Sequence, residues 1–215
     1  MGGDPDAVAT MLNGIEGYKT SFQSVFGGPA TGANITQAIA TFVRTIKSQN
    51  SSWDRYEGGD KTAVSQDVID GFTVFSDSDK ANCTLCHLPP AYTDALFHNI
   101  GVGYDKPMPD PGRGKILNDV ATAAKTTDPN AAKMMGAFKT PTMRSVTESA
   151  PYFHDGRAAT LEQAVDLALK GGVANPNLDE KLKARTITPE ERTKLIAFIK
   201  SLTPEAVPFE KPTLP

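Results

Sequence analysis

The two cysteines of this chain lie three positions apart and are followed at once by a histidine, in the run Cys83-Thr84-Leu85-Cys86-His87. A disulfide between them closes a very small loop and therefore constrains the unfolded chain weakly. A thioredoxin-like dithiol needs a βαβ setting, and no parallel-strand pattern flanks this run. A zinc site needs about four ligands, for which the chain offers two thiols and three histidines.

The histidine that directly follows the second cysteine favours covalent attachment of a c-type haem. In that chemistry Cys83 and Cys86 form thioethers with the porphyrin vinyl groups, and His87 binds the iron from one face as its proximal ligand. Both cysteines of the chain are used in this single motif. The sequence therefore predicts one covalent haem c. Because such attachment takes place outside the cytoplasm, it also predicts a periplasmic protein, although the opening residues show no signal-peptide pattern.

Composition excludes several other classes of protein. The 215 residues are 39% apolar and 22% charged, which is typical of a globular chain rather than a disordered one. The formal net charge of −3 gives no electrostatic reason to expect a nucleic-acid partner. No stretch approaches the roughly 20 consecutive apolar residues that a membrane-spanning helix needs.

The elements that must position the motif are predicted to be helices. Apolar residues recur at helical spacing after Asn34, after Ser65, after Thr160 and after Thr188. The last two helices begin with capping boxes, formed with Gln163 and Glu191. The apolar faces are Ile35, Ile39, Phe42, Val43 and Ile46; Val68, Ile69, Phe72 and Phe75; Leu161, Ala164, Val165 and Ala168; and Leu195, Ile196, Ile199 and Leu202.

No stretch shows sustained strand-like alternation, and residues 88 to 150 are rich in Pro, Gly and Asp. We expect these residues to form long loops that wrap an apolar group such as a haem. The predicted fold is all-α, with a cytochrome c-like haem domain at residues 61–215. A helical segment at residues 1–60 precedes it, and the boundary is placed in the turn around Gly58-Gly59.

Six motifs carry a resemblance to a known family. The chain contains NSSWDRYEGGD, CTLCH, FHNIG, FKTPTMRSV, APYFHDG and TLEQAVDLALKGG, in that order. This order resembles that of bacterial di-haem cytochrome c peroxidases and of the related haem enzymes of methylamine utilisation. The resemblance runs from about Tyr18 to Leu202. It implies an all-α cytochrome c fold, hydrogen peroxide reduction, and electrons supplied by a small cytochrome c or cupredoxin.

The chain also departs from the family pattern. The family carries two haems, whereas this sequence has one attachment motif, which corresponds to the second, electron-passing haem. The helices before residue 61 resemble the end of the family's first domain. The chain is therefore expected to be a fragment, part of a split protein, or a member without the first haem; its partner is then a peroxidatic haem domain or a second copy. Whether it is itself an enzyme depends on that partner, and the alternative is a monohaem electron carrier. Family calcium binding near Ser149 and Pro151 is doubtful here.

Three further side chains are candidates for the haem surroundings. His98 is expected to hydrogen-bond backbone or a haem propionate, with iron ligation as the alternative. His154 is expected to be structural, with proton or electron relay as the alternative. Arg144 is expected either to neutralise a propionate or to hold its loop. Trp53 is interpreted as core packing, and the pocket wall is expected to include Tyr92, Phe97, Tyr152 and Phe153.

The sixth iron ligand cannot be assigned from the family pattern. In the resembling peroxidases a methionine lies fourteen residues after the histidine of the PYFHDG motif, and a tyrosine takes that place in the methylamine enzymes. Here that position is Ala168, which is predicted to face inward. A methyl group cannot bind iron, so we expect an open or water-bound iron. The alternative ligands are His98, Met108, Met134, Met135 and Met143.

Overall fold

The structure, a computed structural model, describes residues 3–205 and 210–215. It divides into two compact units. One contains the described residues up to Lys47 together with residues 210–215, and the other is Ser48–Glu205. This division lies before the predicted boundary at residue 60, because a short helix that includes Trp53 packs within the second unit. No helix among the described residues is both long and apolar enough to cross a bilayer.

The first unit contains three helices in its described part: α1 (Pro5–Asn13), α2 (Glu16–Phe26) and α3 (Gly32–Thr45). α3 begins at a capping box in which Thr31 and Asn34 exchange hydrogen bonds. Its predicted apolar face is only partly buried. Ile35 packs with Ala9 and Ala30, whereas the remaining members of that face are exposed, namely Ile39, Phe42, Val43 and Ile46.

The second unit is built on a crossing of two helices, α5 (Gln66–Ser76) and α8 (Pro189–Ser201). Its other helices are α4 (Ser52–Glu57), α6 (Gly112–Ala123) and α7 (Leu161–Leu169). The predicted capping boxes of α7 and α8 are both confirmed. The core at the crossing is formed mainly by Trp53, Val74, Phe75, Tyr92, Leu195, Ile196, Phe198, Ile199 and Leu202.

A glycine allows the two helices to approach this closely. A Cβ atom built on Gly71 of α5 would lie 2.0 Å from the carbonyl oxygen of Lys194 in α8 and 2.9 Å from the Cβ of Phe198. Those distances are far inside van der Waals contact, so only a residue without a side chain fits at the crossing. The core is therefore fixed by a backbone approach as well as by its aromatic side chains.

The prediction that residues 88 to 150 form only loops is wrong in part. They contain α6 and a small antiparallel sheet of β1 (Phe97–His98) and β2 (Phe138–Lys139), in which His98 pairs with Phe138. α6 starts at a glycine, has no side-chain cap, and leaves Ile116 and Val120 half exposed, so its apolar periodicity is weak. The overall prediction of an all-α, cytochrome c-like fold is confirmed, since these two-residue strands are the only sheet in the described residues.

Candidate functional site

The Cys-x-x-Cys-His run forms a tight turn shortly after α5. Cys83–Leu85 is a single 3₁₀ turn, preceded by Asn82 in the left-handed conformation with φ of 50°, which asparagine tolerates better than most residues. The backbone N–H groups of Cys86 and His87 both donate to the carbonyl oxygen of Cys83, at 3.2 and 2.9 Å. The turn thus holds the two cysteines and the histidine as one local unit.

The electrostatics of the two cysteines weigh against redox or nucleophilic chemistry. Both are free thiols. Burial raises the pKa of Cys83 to about 12, with a contribution from Cys86. Burial, together with the charges of Asp94 and Asp179, raises the pKa of Cys86 to about 11. Reactive dithiol motifs depend on a thiolate of lowered pKa. Both thiols here have raised pKa values, which is the opposite of a thioredoxin-like pair.

His87 is oriented as a metal-binding histidine. Its Nδ1 lies 3.0 Å from the carbonyl oxygen of Tyr92, and because a carbonyl can only accept, Nδ1 carries the proton and Nε2 keeps its lone pair. Burial lowers the pKa of His87, which favours the neutral imidazole that binds iron. Tyr92 itself is fully buried beside Phe75 and Phe198. The core at the helix crossing therefore holds Tyr92 in place, and the Tyr92 carbonyl orients the ring of His87. This arrangement fits a haem whose iron is bound by Nε2 of His87.

His98 is placed differently from either expectation. Its Nδ1 lies 2.5 Å from a carboxylate oxygen of Asp179, and its Nε2 lies 2.7 Å from a carboxylate oxygen of Asp94. Both ring nitrogens are thus engaged with carboxylates, so iron ligation by His98 requires one of these contacts to break. Neither aspartate was singled out by the sequence, because nothing in their spacing distinguishes them from other loop aspartates.

Arg144 joins two of the sequence motifs. Its guanidinium group donates two hydrogen bonds to the carboxylate of Asp54, at 2.8 and 3.0 Å, and its Nε donates to the carbonyl oxygen of Pro90 at 2.8 Å. It also lies over the ring of Tyr92, 5.5 Å from the centroid. These contacts favour the loop-holding role over the propionate-pairing role, which stays a prediction.

His154 is exposed and stacks on Phe138, with ring centroids 3.7 Å apart and planes inclined by 11°. Its neighbour Asp155 is buried and is paired with Lys106 at 3.0 Å and with Arg157 at 2.9 Å. The stacking supports a structural role for His154 rather than a relay. The ion pairs of Asp155 hold together the loop that contains the APYFHDG motif.

The residues considered for the sixth iron position lie in different environments. The core-facing residues of α7 are Leu161, Val165 and Leu169, whereas Ala168 is exposed, so the prediction that Ala168 faces the core is wrong. The residues of α7 that contact the core are spaced at i, i+4 and i+8. The core-facing side of the helix therefore includes Leu169 in place of Ala168. Met108 is 89% exposed, and Met143 packs against the core. Met134 and Met135 are partly buried.

Comparisons with known proteins agree with the geometry. A family model described as di-haem cytochrome c peroxidase matches residues 1–62. The chain is 36% identical over 212 residues to the methylamine utilization protein MauG of Methylorubrum extorquens, covering 98% of this chain and 56% of that protein. It is 35% identical over 201 residues to the cytochrome c551 peroxidase of Nitrosomonas europaea, covering 92% of this chain and 53% of the relative.

The fold has solved counterparts. A crystal structure of a MauG-like protein associated with microbial copper homeostasis superposes with a TM-score of 0.73 at 26% identity, over 93% of this chain and 62% of that one. The chain thus spans little more than half the length of these related proteins. Together with the Cys-x-x-Cys-His turn and its oriented histidine, these matches show that the chain belongs to the di-haem cytochrome c peroxidase family.

Proposed function

We propose that this chain carries the electron-passing haem of a periplasmic di-haem peroxidase-type protein. In this proposal it receives electrons from a small cytochrome c or cupredoxin and delivers them towards peroxide reduction at a second haem. The observation that carries the proposal is the geometry of His87, whose Nδ1 is held by the Tyr92 carbonyl so that the lone pair that can bind iron is on Nε2. A c-type haem attached here supplies one-electron chemistry at its iron.

Different residues of the chain hold the haem in different ways. Cys83 and Cys86 provide the covalent bonds, and His87 provides the proximal ligand. The core beneath the turn, with Phe75 and Tyr92 fully buried, keeps water from that side and sets the ring orientation of the histidine. In this proposal one haem is bound, and calcium has no assigned ligand set.

A monohaem electron carrier is the second candidate function. It is favoured by the presence of one haem motif in 215 residues. The two candidates differ in what happens to peroxide. A carrier exchanges electrons with protein partners and leaves peroxide unreacted, whereas a peroxidase-type protein turns peroxide over once the peroxidatic haem domain, or a second copy of the chain, completes the site.

Haem counting and peroxide kinetics on the purified protein test the proposal. We expect one haem per chain, reduction by a small donor protein, and steady-state peroxide turnover far slower than that of a two-haem relative measured in parallel. Turnover at the relative's rate by this chain alone would contradict the assignment to the electron-passing haem and would place peroxide chemistry at the single iron. Donor-driven turnover that appears only when a second c-type haem domain is added would support the proposal against the carrier.

A further inference from the structure

A largely buried triad of charged side chains lies beside the haem-attachment turn. It consists of His98 between the carboxylates of Asp94 and Asp179, at 2.7 and 2.5 Å, and its side chains are 9%, 9% and 19% exposed in that order. An ionised carboxylate can only accept a hydrogen bond, so both ring nitrogens of His98 donate and the ring is an imidazolium. Two carboxylates and one imidazolium give the triad a net charge of −1.

The triad is close to the second haem-attachment cysteine. The sulfur of Cys86, a carboxylate oxygen of Asp94 and a ring nitrogen of His98 all lie within 4.8 Å of one another. The backbone N–H of Asp94 also donates to the carbonyl oxygen of Cys86 at 2.7 Å. The positive charge of Lys181 acts on both Cys86 and Asp179, but Lys181 is solvent-exposed and therefore screened by water and salt.

The pKa values of the group agree with this charge assignment. Burial alone raises the pKa of both aspartates, but the hydrogen bonds from His98 and from backbone N–H groups outweigh it, so each carboxyl has a lowered pKa. Burial likewise lowers the pKa of His98, but the hydrogen bonds to Asp179 and Asp94 outweigh it and raise the pKa above its usual value.

We propose that the net negative charge of the Asp94–His98–Asp179 triad lowers the reduction potential of the haem attached through Cys86. The inference rests on the proposed function, since it concerns the haem placed there. Reduction adds one electron from an external one-electron donor to the haem and removes none from the triad, so the triad keeps its charge throughout. A fixed negative charge at low dielectric disfavours the added electron more than it would in water.

The same contacts also hold the loop together, and this second role must be separated from the first. Asp94 accepts from the N–H of Leu96 at 2.9 Å, and Asp179 accepts from the N–H of Lys181 at 2.9 Å. A merely structural role changes stability or haem incorporation on mutation. It does not predict that the potential follows the number of negative charges.

The experiment measures the midpoint potential of the holoprotein by spectroelectrochemistry in Asp94→Asn, Asp179→Asn and Asp179→Glu, at about pH 5.5, where a histidine with one carboxylate partner is still protonated and the remaining aspartate is ionised. At a fixed solution potential we expect each Asn variant to shift the ratio of ferrous to ferric haem in favour of the ferrous form by on the order of tenfold, which is about 59 mV for one electron. Asp179→Glu keeps the charge and should restore the wild-type value. Glu180→Gln removes a charge from the exposed neighbouring residue and should leave the potential unchanged. Equal potentials in the Asn variants, Asp179→Glu and the wild type would overturn the proposal.

A second measurement needs no variant. In ¹⁵N-labelled ferrous holoprotein at about pH 6, below the usual histidine pKa, the two ring nitrogens of His98 should both show the chemical shifts of protonated nitrogens. A neutral imidazole there would overturn the charge assignment whether or not the variants take up haem. Intact mass separates this inference from the proposed function. A chain without covalent haem contradicts the function, whereas attached haem with an unresponsive potential contradicts only the role of the triad.

Discussion

The close approach at Gly71 makes a sharp prediction about the helix crossing that supports the site. In Gly71→Ala the new Cβ would lie 2.0 Å from the Lys194 carbonyl oxygen, so α5 and α8 must separate by about 1 Å. A gap of that size removes roughly a quarter to a half of the dispersion energy between facing groups. The buried side chains that face each other at the crossing include Val74, Phe75, Leu195, Phe198 and Ile199.

The magnitude follows from these contacts. If each of the five side chains contributes about 2 kcal/mol by burial, losing about a third of that total costs about 3 kcal/mol. Alanine recovers about 1 kcal/mol through its higher helix propensity. We therefore expect Gly71→Ala to lower the free energy of unfolding by about 2 kcal/mol, which corresponds to a fall of about 4–8 °C in Tm for a chain of this size.

Urea unfolding followed by far-UV circular dichroism measures the change. Thr73→Ala is the matched control, because Thr73 is exposed on the same helix and its replacement should stay within about 0.5 kcal/mol of the wild type. If Gly71→Ala is as stable as Thr73→Ala or more so, the helices are not held at this distance. The account of the crossing is then refuted.

Three further perturbations test the parts of the site. Arg144→Met removes two hydrogen bonds to Asp54 and should cost about 2 kcal/mol in urea unfolding, with only partial recovery in Arg144→Lys; full stability in Arg144→Met would exclude the structural role. Burial raises the pKa of Asp155, but hydrogen bonds from Lys106 and Arg157 lower it to about 2. Asp155→Asn should therefore lose roughly 1–2 kcal/mol at pH 7, and this difference should shrink as pH falls from about 4 towards about 2, since the stabilising ionisation is lost in that range; a loss that does not change with pH would exclude the ionic explanation. The ferric wild type should show high-spin features and bind cyanide rapidly; a thioether charge-transfer band in the wild type would show that a methionine already binds the iron.

Local patterns in the sequence were enough to predict the elements with strong end signals. The capping boxes at Thr160 and Thr188 place the starts of α7 and α8 correctly, because the side-chain and backbone hydrogen bonds involved span only three residues. α6 was missed because it begins at Gly112 without a cap and buries little apolar surface. Its position depends instead on contacts with the segment near Ala137, whose carbonyl oxygen accepts from Arg113 at 2.8 Å.

The same distinction between local and tertiary contacts applies to the residues of the site. The covalent motif is contiguous, so Cys83, Cys86 and His87 could be assigned from spacing alone. The pairing of His98 with Asp179 could not be predicted from spacing, because the two residues lie 81 positions apart and meet only in the folded chain. Asp54 had a usable signal, since it caps α4 together with Ser51, but its pairing with Arg144 again depends on the tertiary structure.

The most direct test of the central claim is the intact mass of the purified, denatured protein after acid-acetone extraction. Two thioether bonds through Cys83 and Cys86 predict that the colour stays with the polypeptide and that the mass exceeds that of the chain by one haem group. Replacement of both cysteines by alanine should abolish this increase. Extraction of the haem into the solvent from the wild-type protein, or a mass equal to that of the bare chain, would contradict the assignment of this turn as a haem c site.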